Sequence, residues 1–411
     1  MKAAIRHLKR NLRRSILTLL AVMIPVYTLV VMFGFAGANL RDMFDTATRI
    51  DTGHFQVRHV KTRATGSATP LMQDPSVVLA ALDRIEGIEW HTTRLDLPAL
   101  ASVGERSHTI LVQGVIPEEI DPISPMRDLI VAGDYLTSNS NGVVIGEELA
   151  DLLKVGVGDD MILLGAHPET GLGVLKAPVV GIYSAPISEM GRAIIHAPIE
   201  LARRLARSST AATAVIARVD GVEGPWDVDL IDGVTAQLRA SLPPEYEVLD
   251  WRKLAPQVDG YMRVLNPALL IFAAIFFALG ALVVLNTVYL SVMERTRELG
   301  LIISLGASRW RVIRMILTEA GLLAGMGAVY GALGGVVLIW IVEAFGGIPL
   351  SGSFTAFAKA VGISPVLHLR VDFPQVLLSA AAMAVVAVLA AWYPARRASR
   401  LEPVEAMRYV E

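Results

Sequence analysis

The stretch that decides the fold reads SVMERTRELGLIISLGASRWRVIRMILTEAG, Ser291–Gly321. Four charges, Glu294, Arg295, Arg297 and Glu298, crowd into five residues. They follow at once on an apolar run, Val264–Leu290, interrupted only by Asn266, Pro267 and Asn286. On a helix, Val292, Thr296, Leu299 and Ile303 recur at i, i+4, i+7 and i+11 and make one semi-apolar face. Glu294, Arg297 and Glu298 fall on the other. A helix divided in this way, next to a run long enough to cross a bilayer, is expected to lie along a membrane surface. Gly306-Ala307-Ser308 supplies a cap and turn, and a second helix is expected from Arg309. By physics alone the charges fit equally a solvated connector that binds lipid headgroups.

Working outward, the apolar excess is unevenly placed. The chain has 411 residues, 53% hydrophobic and 18% charged, with mean hydropathy +0.51. Soluble globular chains carry about 25% charged residues. The excess sits in four blocks: Ser15–Ala38, Val264–Leu290, Ile316–Phe345 and Gln375–Tyr393. The first is 24 residues without a charge, enough to cross a hydrocarbon core about 30 Å thick. A secretory-signal reading competes there, because Ala36-Gly37-Ala38 resembles a cleavage site, but signal cores run only about 7–15 residues. The predicted class is an α-helical integral membrane protein with four transmembrane helices and a large mixed α+β extracytoplasmic domain between the first and second. In order these are a basic N-terminus (1–14), the first helix (15–38), the α+β domain (39–263) and the second helix (264–290). The charged segment (291–314), the third helix (315–345), a short loop (346–374), the fourth helix (375–393) and a tail (394–411) follow.

Cations set the orientation. Residues 1–14 carry six Lys or Arg, 291–314 five Arg and the tail four, whereas the loop 346–374 carries only Lys359 and Arg370. The positive-inside rule places both termini and the charged segment in the cytoplasm of a multi-pass membrane protein. Net charge of −2 suggests no nucleic-acid partner, and the absence of cysteine excludes disulfide and thiolate chemistry.

No GxxxxGK[ST] phosphate loop, HExxH or GxSxG is present, and the eight histidines lack ligand spacing. His54 and His59 flank the expected strand FQVRHV and read as ordinary side chains. Glu118-Glu119 and Asp159-Asp160 fall in turn-like contexts. No catalytic site, metal site or cofactor is expected in the chain itself. Within the apolar blocks, Gly327, Gly331 and Gly335 form a small-residue ridge suited to close helix packing, either within the chain or across a dimer. Glu319 and Glu343 lie near opposite ends of the third block and read as solvated ends. Pro25 is expected to bend the first helix and Pro267 to open the second.

The segment Val292–Gly321 resembles the coupling-helix region of the FtsX/MacB-type permeases, the membrane subunits of type VII ABC transporters. The ending YPARRASRLEPVEAMRYVE is similar to the same family's C-terminal signature. GVIPEEIDPISPMRDLIVAGDYL, GVVIGEELADLLKVGVGDDMILL and APVVGIYSAPISEMGRAIIHAPIELARRL resemble the lipoprotein-releasing LolC/LolE branch. In these stretches a helix is expected over Glu147–Leu153, a turn over Gly156–Asp159 and strands over Met161–Leu164 and Pro178–Tyr183. A further helix is expected over Ile199–Leu205.

The resemblance implies a permease that extracts lipoproteins from the outer leaflet toward the outer membrane by mechanotransmission. It implies a cytoplasmic ABC ATPase dimer, carrying the ATP and Mg, that docks on Glu294, Arg295, Arg297 and Glu298, with Gly300 and Gly306 shaping the helix. It further implies a second permease copy or paralogue, a lipoprotein substrate, membrane lipids and a periplasmic acceptor. The segment Gly165–Ala177, where one branch member carries an extended carrier-binding hairpin, is short, so carrier recruitment is not implied. Met32, Phe33 and Phe35, with Met262, Val264 and Leu265, are candidates to line a lipid cavity. Two alternatives stand beside this reading: a MacB-like efflux permease, and an FtsX-like transmitter controlling a cell-wall hydrolase.

Overall fold

The computed structural model describes residues 12–60, 71–120, 124–167, 170–185, 188–351, 355 and 366–400. The basic residues 1–11 and the tail motif around Pro403–Arg408 lie outside them, as does most of the loop before Val366. The chain divides into two compact units. One comprises residues up to Asn39, Arg263–Pro349 and from Val366 onward; the other is Leu40–Met262 with Leu350–Pro365.

The first unit is helical. Its long helices are Leu12–Ala47, Pro256–Glu294, Arg309–Ala344 and Phe373–Ala398, each long and apolar enough to cross a membrane. All four outrun the apolar blocks, because helical hydrogen bonding need not stop where hydrocarbon-like sequence does. The first continues through Asn39–Ala47, burying Leu40 and Phe44, and ends in a π-helical turn, Thr48–Thr52. The second begins at Pro256, not near Pro267 as expected from sequence. Pro256 has its φ preset for a first helical position, whereas Pro267 lies inside the helix. The fourth is capped by Asp372, whose carboxylate accepts the Gln375 N–H at 3.2 Å.

The glycine ridge decides how two of these helices pack. A Cβ on Gly331 would stand 2.5 Å from the Met23 carbonyl oxygen, one on Gly327 2.8 Å from that of Leu19, and one on Gly335 2.7 Å from Val30. The ridge therefore packs against the first helix of the same chain. Ala320, Ala324 and Ala328 join Met383, Ala387 and Ala391 of the fourth helix in one core. By contrast, Val264, Leu270, Ile271 and Phe272 on the second helix are exposed, a surface suited to hydrocarbon. Glu343 is not a free solvated end. Its carboxylate accepts the Leu369 N–H at 2.7 Å and lies 3.4 Å from His368 Nδ1, pinning the returning chain to the third helix.

The second unit is α+β. Its strands are β1 Phe55–His59, β2 Ile88–Val103, β3 Arg106–Val115, β4 Ile130–Gly133 and β5 Val143–Gly146. They continue as β6 Asp160–His167, β7 Gly171–Tyr183, β8 Ile194–Pro198, β9 Ala214–Val219 and β10 Tyr246–Asp250. The long β2 serves two sheets. Its first half pairs antiparallel with β9, which continues the order β10-β1-β9-β2. From Leu95 it pairs with β3, and from Ala99 also with β6. The pairings β2-β3-β8-β5-β7-β6 then return to β2, so these six strands close a ring, with β4 on the outer edge of β7. A closed ring leaves no sheet edge among its members.

Leu95, Leu97, Val112, Ile145, Met161 and Leu163 fill the core beside this ring. Phe44, Phe55, Val215, Leu238 and Trp251 fill the core against the other sheet. Helices Glu147–Leu153 and Ile199–Leu205 stand where the sequence places them. The short segment Gly165–Ala177 is the far half of the β6–β7 hairpin, paired out to His167 and Gly171.

Candidate functional site

The charged stretch folds as a helix–break–helix–turn–helix. The second long helix stops at Glu294, Arg295 leaves helical geometry at φ −105° and ψ 15°, and a short helix runs Thr296–Ser304. Thr296 stabilises the break: its hydroxyl donates to the Val292 and Met293 carbonyls at 3.1 and 2.8 Å. The short helix ends in a Schellman motif. Ala307 N–H bonds the Ile302 carbonyl, Gly306 N–H bonds that of Ile303, and Gly306 has φ +90°. Ser308 then caps the third long helix through the Arg311 N–H.

The faces divide as the spacing predicts. Val292, Thr296, Leu299 and Gly300 are buried, Ile303 is half-buried, and Glu294, Arg297, Glu298 and Leu301 are exposed. Arg295 departs from the expectation that it joins the outward charges. Its side chain is 17% exposed, and its Nη1 donates to Glu319 of the third helix at 3.1 Å while Nε donates to Glu298 at 3.3 Å. Glu319, expected as a solvated end, is the other half of that bridge. The sequence carried a signal for this: Glu319 is the sole acid in its block until Glu343. What pattern reasoning missed was that the turn at Gly306 folds Glu319 back onto Arg295. Beside the bridge lies a polar cavity of about 180 Å³, walled in part by Ser15, Thr18, Thr287 and Ser291.

The candidate lipid-lining residues are not all alike. Val264 is 72% exposed, Phe35 is exposed, and Met32, Phe33 and Leu265 are half-buried. Met262 packs instead against the core of the α+β unit. The α+β unit has a cavity of its own, about 250 Å³, lined by Met43, Ile50, Met190, Ile194, Leu254 and Val258 together with the polar Asp51 and Gln257. Next to it Asp51 accepts hydrogen bonds from Arg94 at 3.0 Å and Gln113 at 3.1 Å. Arg94, nearly fully buried, also pairs with Asp96 at 2.9 Å. Burial, aided by Arg218, lowers His54 to about 3. Burial and Arg94 lower His196 to about 4. Among the described residues no group of three ligating side chains could hold a metal ion.

Comparison with known proteins converges on one class. The family described as the MacB-like periplasmic core domain matches residues 15–239, more than half of the chain, and the FtsX-like permease C-terminal family matches residues 270–403. The chain belongs to the FtsX/MacB-type family of ABC transporter permeases. It is 26% identical over 314 residues, 74% of each chain, to the lipoprotein-releasing system transmembrane protein LolC of Xylella fastidiosa strain 9a5c. It is 23% identical over 424 residues to the macrolide export ATP-binding/permease protein MacB of Marinobacter nauticus, covering 99% of this chain and 60% of that one. The periplasmic region of MacB from Actinobacillus actinomycetemcomitans aligns over 52% of this chain and 95% of its own, at 12% identity and a TM-score of 0.35. Permeases of this family work with a cytoplasmic ABC ATPase.

Proposed function

We propose that this chain is the permease of an ABC transporter that extracts acylated lipoproteins from the outer leaflet of a bacterial inner membrane. The observation that carries the coupling half of this reading is the Thr296–Ser304 helix. Its apolar side is anchored by Leu299 and its Arg297 and Glu298 side is open. In this reading the ATPase dimer docks on that open side, and closure on ATP pushes the helix and tilts the long helices attached to it. The cation bias puts this helix and both termini in the cytoplasm and the α+β unit on the far side. Orienting the substrate half is the likeness to LolC across 74% of both chains.

Energetics make an ATP-driven push necessary for such a cargo. Each acyl CH₂ buried in lipid holds about 0.8 kcal/mol, so a three-chain anchor with roughly 45 such groups resists transfer to water by something on the order of 30 kcal/mol. A second reading, macrolide-type efflux with a duct adaptor, is favoured by the alignment to MacB over 99% of this chain.

A mild-detergent pull-down of the tagged chain with mass spectrometry separates the two. An ABC ATPase with acylated lipoproteins supports extraction; an ATPase with a duct adaptor and no lipoprotein overturns the cargo. Arg297→Glu is expected to cut ATPase recovery roughly tenfold, the loss of one or two charge-assisted contacts at an interface. Full recovery with that variant would remove the docking face.

A further inference from the structure

We propose that Arg295 is a positioning residue that clamps the short helix to the third long helix through Glu319. A push on the exposed face would then be delivered to the third helix and not dissipated at the breaks. The proposal rests on the reading of Thr296–Ser304 as the driven element, but the clamp itself rests on geometry alone.

The short helix is bounded by two weak points. At one end Arg295 has non-helical φ and ψ, and at the other Gly306 adopts φ +90°. A nine-residue helix between two such points would swing independently of either neighbour if only backbone joined them. Against swinging stand the apolar seats of Leu299 and Ile303 in the helical core and the Arg295–Glu319 bridge. Apolar packing is non-directional and permits sliding, whereas a charge-assisted hydrogen bond from a side-chain cation to a carboxylate fixes the distance between its partners.

Arg295 suits this task by position. It sits at the first weak point, and Glu319 lies ten residues beyond Arg309, about 15 Å along the third helix from its start just after the second weak point. The bridge therefore triangulates the short helix: one backbone link through Gly306 and one side-chain link far from it. Glu298 holds the other edge of the guanidinium from within the short helix, so three points on two elements are tied. A docking role for Arg295 fits less well, since its side chain is only 17% exposed and its Nη1 donates to Glu319 of the third helix.

The lack of cysteine in this chain makes the test clean. Leu301→Cys and Leu322→Cys, both exposed, place spin labels on the short and third helices of the full chain in lipid nanodiscs. Pulsed dipolar spectroscopy is expected to give one narrow distance for Arg295 and for Arg295→Lys, which keeps the cation. In Glu319→Gln, a near-isosteric change, and in Arg295→Gln, a second distance is expected in on the order of a tenth of the molecules or more. One unchanged narrow distance in the Gln variants would overturn the clamp, as would a second distance already present in Arg295→Lys. Should Glu319→Gln not fold, Arg295→Gln carries the same comparison. These measurements need no ATPase, so the clamp can stand if Arg297→Glu shows the docking face to be wrong, and can fall while docking holds.

Discussion

Arg94 sits where β2 changes partners, paired with β9 up to that residue and with β3 from the next. It is almost fully buried between Asp51 and Asp96, and a charge there is tolerable only because both carboxylates meet it. Two buried histidines lie in the same unit, neither hydrogen-bonded to a carboxylate among the described residues. His54 accepts the Val219 N–H on Nδ1 at 3.0 Å and stacks on Phe44; His196 packs edge-on against Tyr183. Each is neutral in the folded chain, since burial with Arg218 and Arg49 lowers His54 to about 3, and burial with Arg94 lowers His196 to about 4 against the opposing pull of Asp51.

The unfolded chain protonates both at an ordinary histidine pKa of 6.5. Their contribution to stability is thus complete above that value and is lost as pH falls from 6.5 toward 4 and 3. At pH 5 the expected loss is about 2 kcal/mol per histidine. Hydrogen exchange at the amides of β1 and β8 in the full chain, compared at neutral pH and pH 5, reads this directly. Equal protection at the two pH values would refute it.

At the scale of elements, the close approach of the first and third helices depends on three missing side chains. Gly331→Ala forces a Cβ to within 2.5 Å of the Met23 carbonyl oxygen, whereas Gly325→Ala meets nothing within 4 Å. The first is expected to destabilise the helical unit by about 1–3 kcal/mol, and the second to be neutral or slightly stabilising because alanine is the better helix former. Thermal unfolding of the two variants in the same detergent checks the contrast; equal melting would mean the ridge is not a packing contact. Sequence spacing revealed the ridge but not its partner, because i, i+4, i+8 periodicity specifies a face and says nothing of what lies opposite. Likewise the short helices Glu147–Leu153 and Ile199–Leu205 were legible from local pattern and flanking turns. The closed ring was not, since β2 meets β6 and β9 across about 60 and 120 residues of chain and no local signal encodes such pairings.

For the whole molecule, the cation count makes a prediction that labelling can test. A single cysteine at Glu223, whose side chain is 74% exposed, should react with a membrane-impermeant maleimide from the outer side of the inner membrane. One at Ser304, on the short helix Thr296–Ser304, should react only after the membrane is permeabilised. Reaction of both from the same side would overturn the four-crossing arrangement. The absence of native cysteine leaves no background in either case.

Composition and periodicity by themselves determined the number of long apolar helices, the α+β character of the intervening segment, and the two-faced helix at Thr296–Ser304. These are properties of contiguous residues, and the solvent preference of each side chain is enough to write them. Only the tertiary structure decided which partner each face takes: that Gly327–Gly335 meets the first helix, that β2 closes a ring, and that Arg295 turns inward to Glu319. The physical reason is common to all three. A charge or a glycine has several acceptable surroundings in isolation, and the one adopted depends on which distant groups the folded chain brings within contact distance.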